Sequence, residues 1–213
     1  MTYVLQIMPA LLEGLKTTLQ VFFYTLLLSI PLGAIIALGN VSKIRPLRWI
    51  IDTYVWIMRG TPLLLQLIFI YYGAPYFHLI LERYEAVLFA FVLNYAAYFA
   101  EIFRGGILSI EKGQYESAKV LGLSYGQTVR KIVLPQVIKR VLPAIGNEVI
   151  NLVKDSSLVY VLGLGDLLRA GKIASNRDVT LIPLVLVGLI YLLLTAVLTL
   201  LFKRIEKHYN YYK

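Results

Sequence analysis

Cysteine is absent from the 213 residues. That excludes disulfides and thiolate metal sites, and it leaves the redox compartment unread. Histidine is nearly absent: His78 and His208 are far apart and lack ligand-like spacing, so no metal site is expected. Charge is scarce, at 15% Asp, Glu, Lys and Arg, against roughly 25% in soluble domains. Two hydrolase signatures are missing as well, G-x-S-x-G and H-E-x-x-H, and with them the nucleophile elbow and the zinc helix. The nearest approach to a phosphate-binding loop runs from Gly165 to Lys172. It has five residues between its glycines and Ile173 where a Ser or Thr must meet magnesium. The chain therefore carries no recognisable nucleotide site.

What it has in abundance is apolar surface: 59% of residues are hydrophobic and the mean hydropathy is +0.72. The expectation is an all-α integral membrane bundle with five transmembrane helices near 19–39, 51–73, 85–103, 143–162 and 181–202, forming a single transmembrane domain over 1–213. Each run is about the length that crosses a hydrocarbon core. The first basic residue is Lys16, so the charged opening of a cleaved signal peptide is not seen. Gly33 and Ala37 form a small-xxx-small pair in the first span, and Ala96 and Ala100 form another in the third. No internal repeat is visible.

A net charge of +9 would suggest nucleic acid in a soluble protein. Sorting the charges by loop explains them better. Fourteen of the 21 basic residues fall in 43–48, 104–140 and the tail. The positive-inside rule then puts the N-terminus outside and the C-terminus inside. Residues 163–180 read as a mixed outer loop. The second run is interrupted by Arg59-Gly60-Thr61-Pro62. Either 49–58 lies along the cytoplasmic interface, or one kinked span lets Arg59 snorkel outward. The tail, with Tyr209, Tyr211 and Tyr212, reads as an interfacial and cytoplasmic end.

Two stretches carry chemistry. In the third span, Asn94, Tyr98 and Glu101 share one stripe, and Glu101 is spaced to pair with Arg104. The fourth span is unusually polar, with Asn147, Glu148, Asn151, Lys154, Asp155, Ser156 and Ser157. Three charges exposed to lipid would cost roughly 7–10 kcal/mol at 2.5–3.5 kcal/mol each. They must be paired, line water, or sit at a break. Pro143 is suited to open that helix. Glu148 and Asp155 share a helix face, which suits acid–base work in principle, but Lys154 and the amides fit ligand or ion binding equally. The same face could instead hold subunits together. An intramembrane enzyme lacks a nucleophile or metal set.

The longest polar segment, 111–140, has its own grammar. A short helix ends at Leu121, with Gly122 placed for a left-handed C-cap. Ser124 and Gln127 then form a capping box that opens a second helix, and Pro135 should stop or kink it near Leu134. Glu116-Ser117-Ala118, three residues including Lys119, Gly122, nine residues beginning with Leu123, and then Ile132-Val133-Leu134-Pro135 make a fixed pattern. It resembles the EAA loop of membrane permease subunits of ATP-binding cassette importers, whose form is Glu-Ala-Ala, three residues, Gly, nine residues, Ile-x-Leu-Pro. Ser117 for the middle alanine is the one departure. The stretches 60–67 with Arg59, 98–124 and 142–168 are similar to signature regions of the polar amino acid subfamily.

The resemblance implies a coupling loop that docks on a separate cytoplasmic ATPase dimer, which binds the ATP and magnesium; no cofactor is expected in this chain. It also implies a second permease subunit, an extracytoplasmic solute-binding protein, and an amino acid substrate moved by alternating access across a prokaryotic cytoplasmic membrane. The fourth span becomes the substrate-site candidate. Asn147, Asn151 and Asp155 would run down one face, Ser156 or Ser157 would cap a new helical segment whose amides meet a carboxylate, Asp155 would meet the ammonium, and Asn94 and Tyr98 would complete the wall. Glu148 hints at a cationic side chain. The other class to weigh is a self-contained secondary transporter or channel, which needs an ion site and usually repeated halves.

Overall fold

The computed structural model describes residues 2–209; Tyr211 and Tyr212 of the tail lie outside them. Among the described residues there are only helices and connecting turns. The first helix, α1 (Thr2–Asn40), continues through Pro9 and Pro31. At 1.5 Å per residue it is about 58 Å long, well beyond the ~30 Å hydrocarbon core. The helix begins well before the span expected at 19–39, because Glu13 and Lys16 dilute the apolar run without breaking the helix.

Two shorter helices follow, α2 (Arg45–Gly60) and α3 (Leu63–Gly73). With the 3₁₀ turn Ala74–Phe77 extending α3, the pair bends by 107° at Thr61-Pro62. The second apolar run is thus broken, and α2 lies across the direction of α3. Then come α4 (Arg83–Leu108), α5 (Lys112–Val120), α6 (Tyr125–Thr128), a π turn over Val129–Val133, α7 (Leu134–Asp155), a 3₁₀ stretch over Ser156–Leu162, α8 (Leu167–Asp178) and α9 (Ile182–Tyr209). Three helices, α1, α4 and α9, are long and apolar enough to cross a membrane, and the bent α2–α3 pair makes a fourth if counted as one. In α7 the apolar run is diluted by the amides and charges already noted.

The bundle is arranged around α4, which packs on α1, α2, α3 and α7. Its buried face carries Val87, Ala90, Phe91, Tyr95 and Phe99, meeting Val21 and Phe22 of α1, Leu67 of α3, and Val149, Leu152 and Val153 of α7. The small residues set the spacing. A Cβ on Gly33 would stand 2.7 Å from the Phe99 Cβ and 3.0 Å from backbone atoms of Ala96 and Ala100. The two small-residue seams of the sequence thus face each other, and van der Waals contact between backbones does the packing where lipid offers no hydrophobic drive. By contrast α9 buries only Pro183 and Val187 and leaves Leu189, Leu192, Leu193, Val197, Leu200 and Leu201 exposed.

Two expectations need correction. Pro143 does not open a helix; it lies inside α7, which starts nine residues earlier. Of the stop or kink expected at Pro135, the stop does not occur. The chain widens into the π turn just before it, which makes room for the ring that would clash with the carbonyl four residues back. Residues 167–178, expected as loop, form α8. Asp166 caps it, accepting from the backbone N–H of Leu168 (2.9 Å) and Arg169 (3.2 Å). Thr18 of α1 accepts from the Leu167 N–H at 3.1 Å. Gly14 permits that approach, since a Cβ there would be 2.7 Å from the Asp166 carbonyl oxygen.

Asp166 is fully buried. Burial, opposed by its backbone hydrogen bonds, pushes its carboxyl up to about 6 from 3.8. A carboxyl raised on folding contributes stability that is complete below the unfolded value and lost as pH rises through the folded one. The melting temperature of the purified protein should therefore contain a component that falls between pH 3.8 and about 6. Asp166→Asn keeps a capping acceptor and should flatten that component. A variant whose melting tracks wild type across the window contradicts this assignment.

Candidate functional site

The break between α2 and α3 creates the site. In a continuous helix the Met58 carbonyl would accept from the N–H of residue 62, and Pro62 has none. Two side chains replace the missing donor. Asn94 Nδ2, from α4, donates to the Met58 carbonyl at 3.0 Å, and Gln66 Nε2, from α3, donates to it at 2.9 Å. Asn94 also donates to Gln66 Oε1 at 2.9 Å, while Gln66 reaches Thr61 Oγ1 at 2.7 Å and the Thr61 carbonyl at 3.2 Å. The Thr61 hydroxyl donates to the Ile57 carbonyl at 2.8 Å. The carbonyl that the broken helix orphans is thus satisfied from within the protein, as a membrane requires.

Beside the break lies a cavity of about 430 Å³, lined by Thr61, Pro62, Leu63 and Leu64, by Asn94, Tyr95 and Tyr98, and by Glu148, Asn151, Asp155 and Leu158. Its size is in the range of small-molecule sites. Pro62 is the N-cap of α3 and provides no side-chain cap, so the first-turn amides of α3, the positive end of its dipole, are uncapped where Leu63 and Leu64 line this space. From α7 the carboxylates of Glu148 and Asp155 join the lining. Tyr95, buried on α4, donates from its hydroxyl to Asp155 Oδ2 at 2.8 Å. At the rim, the Arg59 guanidinium sits 5.3 Å from the Tyr98 ring centroid and 4.0 Å from Glu101. Glu101 is held by Arg104 through two bonds of 2.8 and 2.6 Å. A zwitterion fits this arrangement chemically, its carboxylate toward the α3 amides and its cationic groups toward Glu148 and Asp155.

Five of the expected site residues, Asn94, Tyr98, Glu148, Asn151 and Asp155, meet at this cavity. Asn147 does not; it is exposed on another part of α7. The stripe that faces the cavity is 148, 151, 155, with steps of three and four, so Glu148 takes the place expected for Asn147. Ser156 and Ser157 do not line it either. Ser156 is buried and donates back to the Val153 carbonyl at 2.7 Å, so it caps no new segment; the chain tightens into the 3₁₀ stretch instead. The helix N-terminus at the cavity belongs to α3. Gln66 and Tyr95 are the residues the sequence reading missed. Gln66 was recoverable: Pro62 orphans a carbonyl, and a glutamine four residues on can reach back to it.

At the far end of α4, the 111–140 segment is two helices joined at Gly122, whose φ of +74° is the left-handed conformation expected of it. The Ser124–Gln127 capping box is present in both directions, at 3.3 and 2.9 Å. Val120, Leu121 and Tyr125 protrude, 87%, 76% and 79% exposed, a greasy knuckle around the turn. Glu116, Ser117, Lys119, Leu134 and Pro135 are also exposed, Leu123 and Ile132 are half-buried, and Ala118 is buried. Ala118 is thus packed inward rather than displayed. Behind the knuckle, Tyr115 packs on Ile110, Val133, Val137 and Val141, tying α5 to the root of α7.

Residues 29–211 match the family described as binding-protein-dependent transport system inner membrane component. The chain belongs to that family. The arginine transport system permease protein ArtQ of Bacillus subtilis is 41% identical over 201 residues, 93% of this chain and 92% of the relative. The L-cystine transport system permease protein TcyB of the same bacterium is 35% identical over 206 residues, 96% and 88% of the two chains. Among solved structures, an amino acid ABC transporter with histidines superposes with a TM-score of 0.90 at 34% identity, covering 97% of each chain.

The carbonyl at the break gives a direct check. Removing both Asn94 and Gln66 (each to Leu) strands the Met58 oxygen and should cost about 1–3 kcal/mol of stability. Adding Pro62→Ala restores the backbone donor and should recover part of the loss. Unfolding midpoints with no recovery on adding Pro62→Ala would remove the basis for this account of the break.

Proposed function

We propose that the chain is the membrane-spanning subunit of an ATP-binding cassette importer that carries a polar, cationic amino acid inward by alternating access, with the cavity at the α2–α3 break as its substrate site. The observation that carries this reading is the pairing of two carboxylates, Glu148 and Asp155, with the uncapped first turn of α3 in one cavity. One carboxylate suffices for the α-ammonium. The second provides for a positive side chain, in keeping with the arginine system of the similar Bacillus protein. Relatives of comparable similarity serve cystine, so family membership alone leaves the cargo open, and Glu148 is the discriminating residue.

The remaining parts follow the same reading. Five passes with the N-terminus outside would count α2–α3 as one pass and α7 with its 3₁₀ stretch as another, its polar face turned to the cavity. The 111–140 segment would then be cytoplasmic. The protruding Val120, Leu121 and Tyr125, with Glu116, Ser117, Lys119, Gly122 and Leu123 around them, would enter a groove of the ATPase, and Ile132, Leu134 and Pro135 would pass its motion into α7. ATP and magnesium would stay in the ATPase. A second permease subunit, a solute-binding protein on the outer face, and residence in a bacterial inner membrane complete the assembly. A self-contained secondary transporter is not favoured, because the family works with partner proteins, as its description states.

One assay tests both halves: amino-acid-stimulated ATP turnover by the complex in vesicles. Glu148→Gln should lower the response to arginine or lysine by about tenfold or more, the scale of losing one charge-assisted contact, while sparing neutral amino acids. Gly122→Asp should insert normally but fail to co-purify the ATPase. An unchanged preference in the first variant, or normal ATPase recruitment by the second, counts against the respective half.

A further inference from the structure

The transport reading leaves the outer surface of α2 unexplained. Around this helix, advancing about 100° per residue, the side chains fall into four sectors. Ile51, Tyr54, Val55 and Met58 pack on α1 and α4, against Ile36, Ala97 and Ala100. Next come Ile50 and Ile57, both exposed, then Trp49 and Trp56, 71% and 75% exposed, and then Arg45, Arg48, Asp52 and Arg59. Passing from protein to aliphatic, to indole, to charge, the order is that of a bilayer interface from acyl chains to headgroups. A protein-facing surface would instead enclose its tryptophans within a rim of charge. The 107° bend sets α2 across α3, which is the attitude this order needs.

The charge on this face is positive and largely unspent. Asp52 is engaged by Asn40, whose Nδ2 donates at 2.5 Å. Arg59 is held at Tyr98 and Glu101. Arg48 gives one bond to the Ser42 carbonyl, at 2.7 Å, and keeps the rest of its fork. Lys43 and Arg45 are exposed and make no ion pair among the described residues. We propose that α2 is an in-plane membrane helix that binds anionic phospholipid, with Lys43, Arg45 and Arg48 on the phosphate, Trp49 and Trp56 at headgroup level, and Ile50 and Ile57 among the acyl chains. The other end of the same rod is the Thr61-Pro62 rim of the cavity, so the bilayer's grip on α2 bears on the wall of that site. The lipid site itself does not depend on which solute is carried.

The chain has two tryptophans, Trp49 and Trp56, both on this helix, so their fluorescence reports α2 alone. The full-length chain is placed in phosphatidylcholine vesicles containing either brominated phosphatidylglycerol or brominated phosphatidylcholine at equal mole fraction. The brominated anionic lipid should quench at least about twofold more strongly per mole, and the excess should vanish in ~1 M salt, where the Debye length is about 3 Å. The triple variant Lys43→Gln, Arg45→Gln, Arg48→Gln should lose the excess while keeping the wild-type quenching by brominated phosphatidylcholine, which shows that the helix is still seated. Equal quenching by the two lipids in wild type overturns the anionic site. Absence of quenching by either overturns the lipid-facing assignment altogether and points to a second copy of the chain covering α2.

Discussion

A single backbone oxygen governs this architecture. Pro62 takes away the donor of the Met58 carbonyl, and a carbonyl without a donor inside a membrane is costly. Asn94 and Gln66 answer it from two different helices. That answer fixes α2 across α3, pins both to the middle of α4, and opens the space into which α7 presents Glu148 and Asp155. Without the proline there is no bend, without the amides the bend is not sustainable, and without the bend the first turn of α3 has no cavity to line.

The rest of the bundle holds α4 at that point. Gly33 lets α1 lie against Ala96 and Ala100 at backbone distance. Tyr54 of α2 donates to the Leu93 carbonyl of α4 at 2.5 Å, one residue before Asn94. Thr18 and Asp166 tie α8 to α1. At the other end, α5 and α6 project from the bundle on a left-handed glycine, and the π turn before Pro135 joins them to α7, the helix that carries the two carboxylates. A push on the knuckle at Val120–Tyr125 therefore has a continuous helical route to the cavity wall. π turns recur at functional sites for their tolerance of a changed hydrogen-bond register.

Much of this was legible before any coordinates. Local rules performed well where the partners are close in sequence: Gly122, the Ser124–Gln127 box and the Glu101–Arg104 pair each depend on residues a few positions apart. The polar stripes of α4 and α7 were also readable, because helical periodicity brings Asn94 and Tyr98, or Asn151 and Asp155, to one side, although the third member of the α7 stripe is Glu148 and not the expected Asn147. What sequence could not supply is which half-helix presents its amides. Ser156 and Ser157 carry the capping chemistry, but Ser156 points it backward, at Val153, while Pro62, with no capping side chain, provides the free first turn. That choice is made by contacts across 28 and 36 residues, from Asn94 to Gln66 and to the Met58 carbonyl. The α8 helix was hidden for the related reason that one of its three side-chain-capped N–H groups, that of Leu167, is answered by Thr18, 149 residues away.

The central claim is that the transported amino acid occupies the space at the α2–α3 break. Because the chain has no cysteine of its own, a single cysteine placed at Leu64, on the cavity wall, can be followed alone. The decisive measurement is its rate of alkylation by a small thiol reagent in the assembled complex, with and without saturating cationic amino acid. Occupancy of the cavity predicts that the amino acid slows labelling severalfold, and that the protection disappears when Asp155 is also changed to Asn. Labelling at one rate with and without the amino acid, in a complex that still transports, would contradict the account.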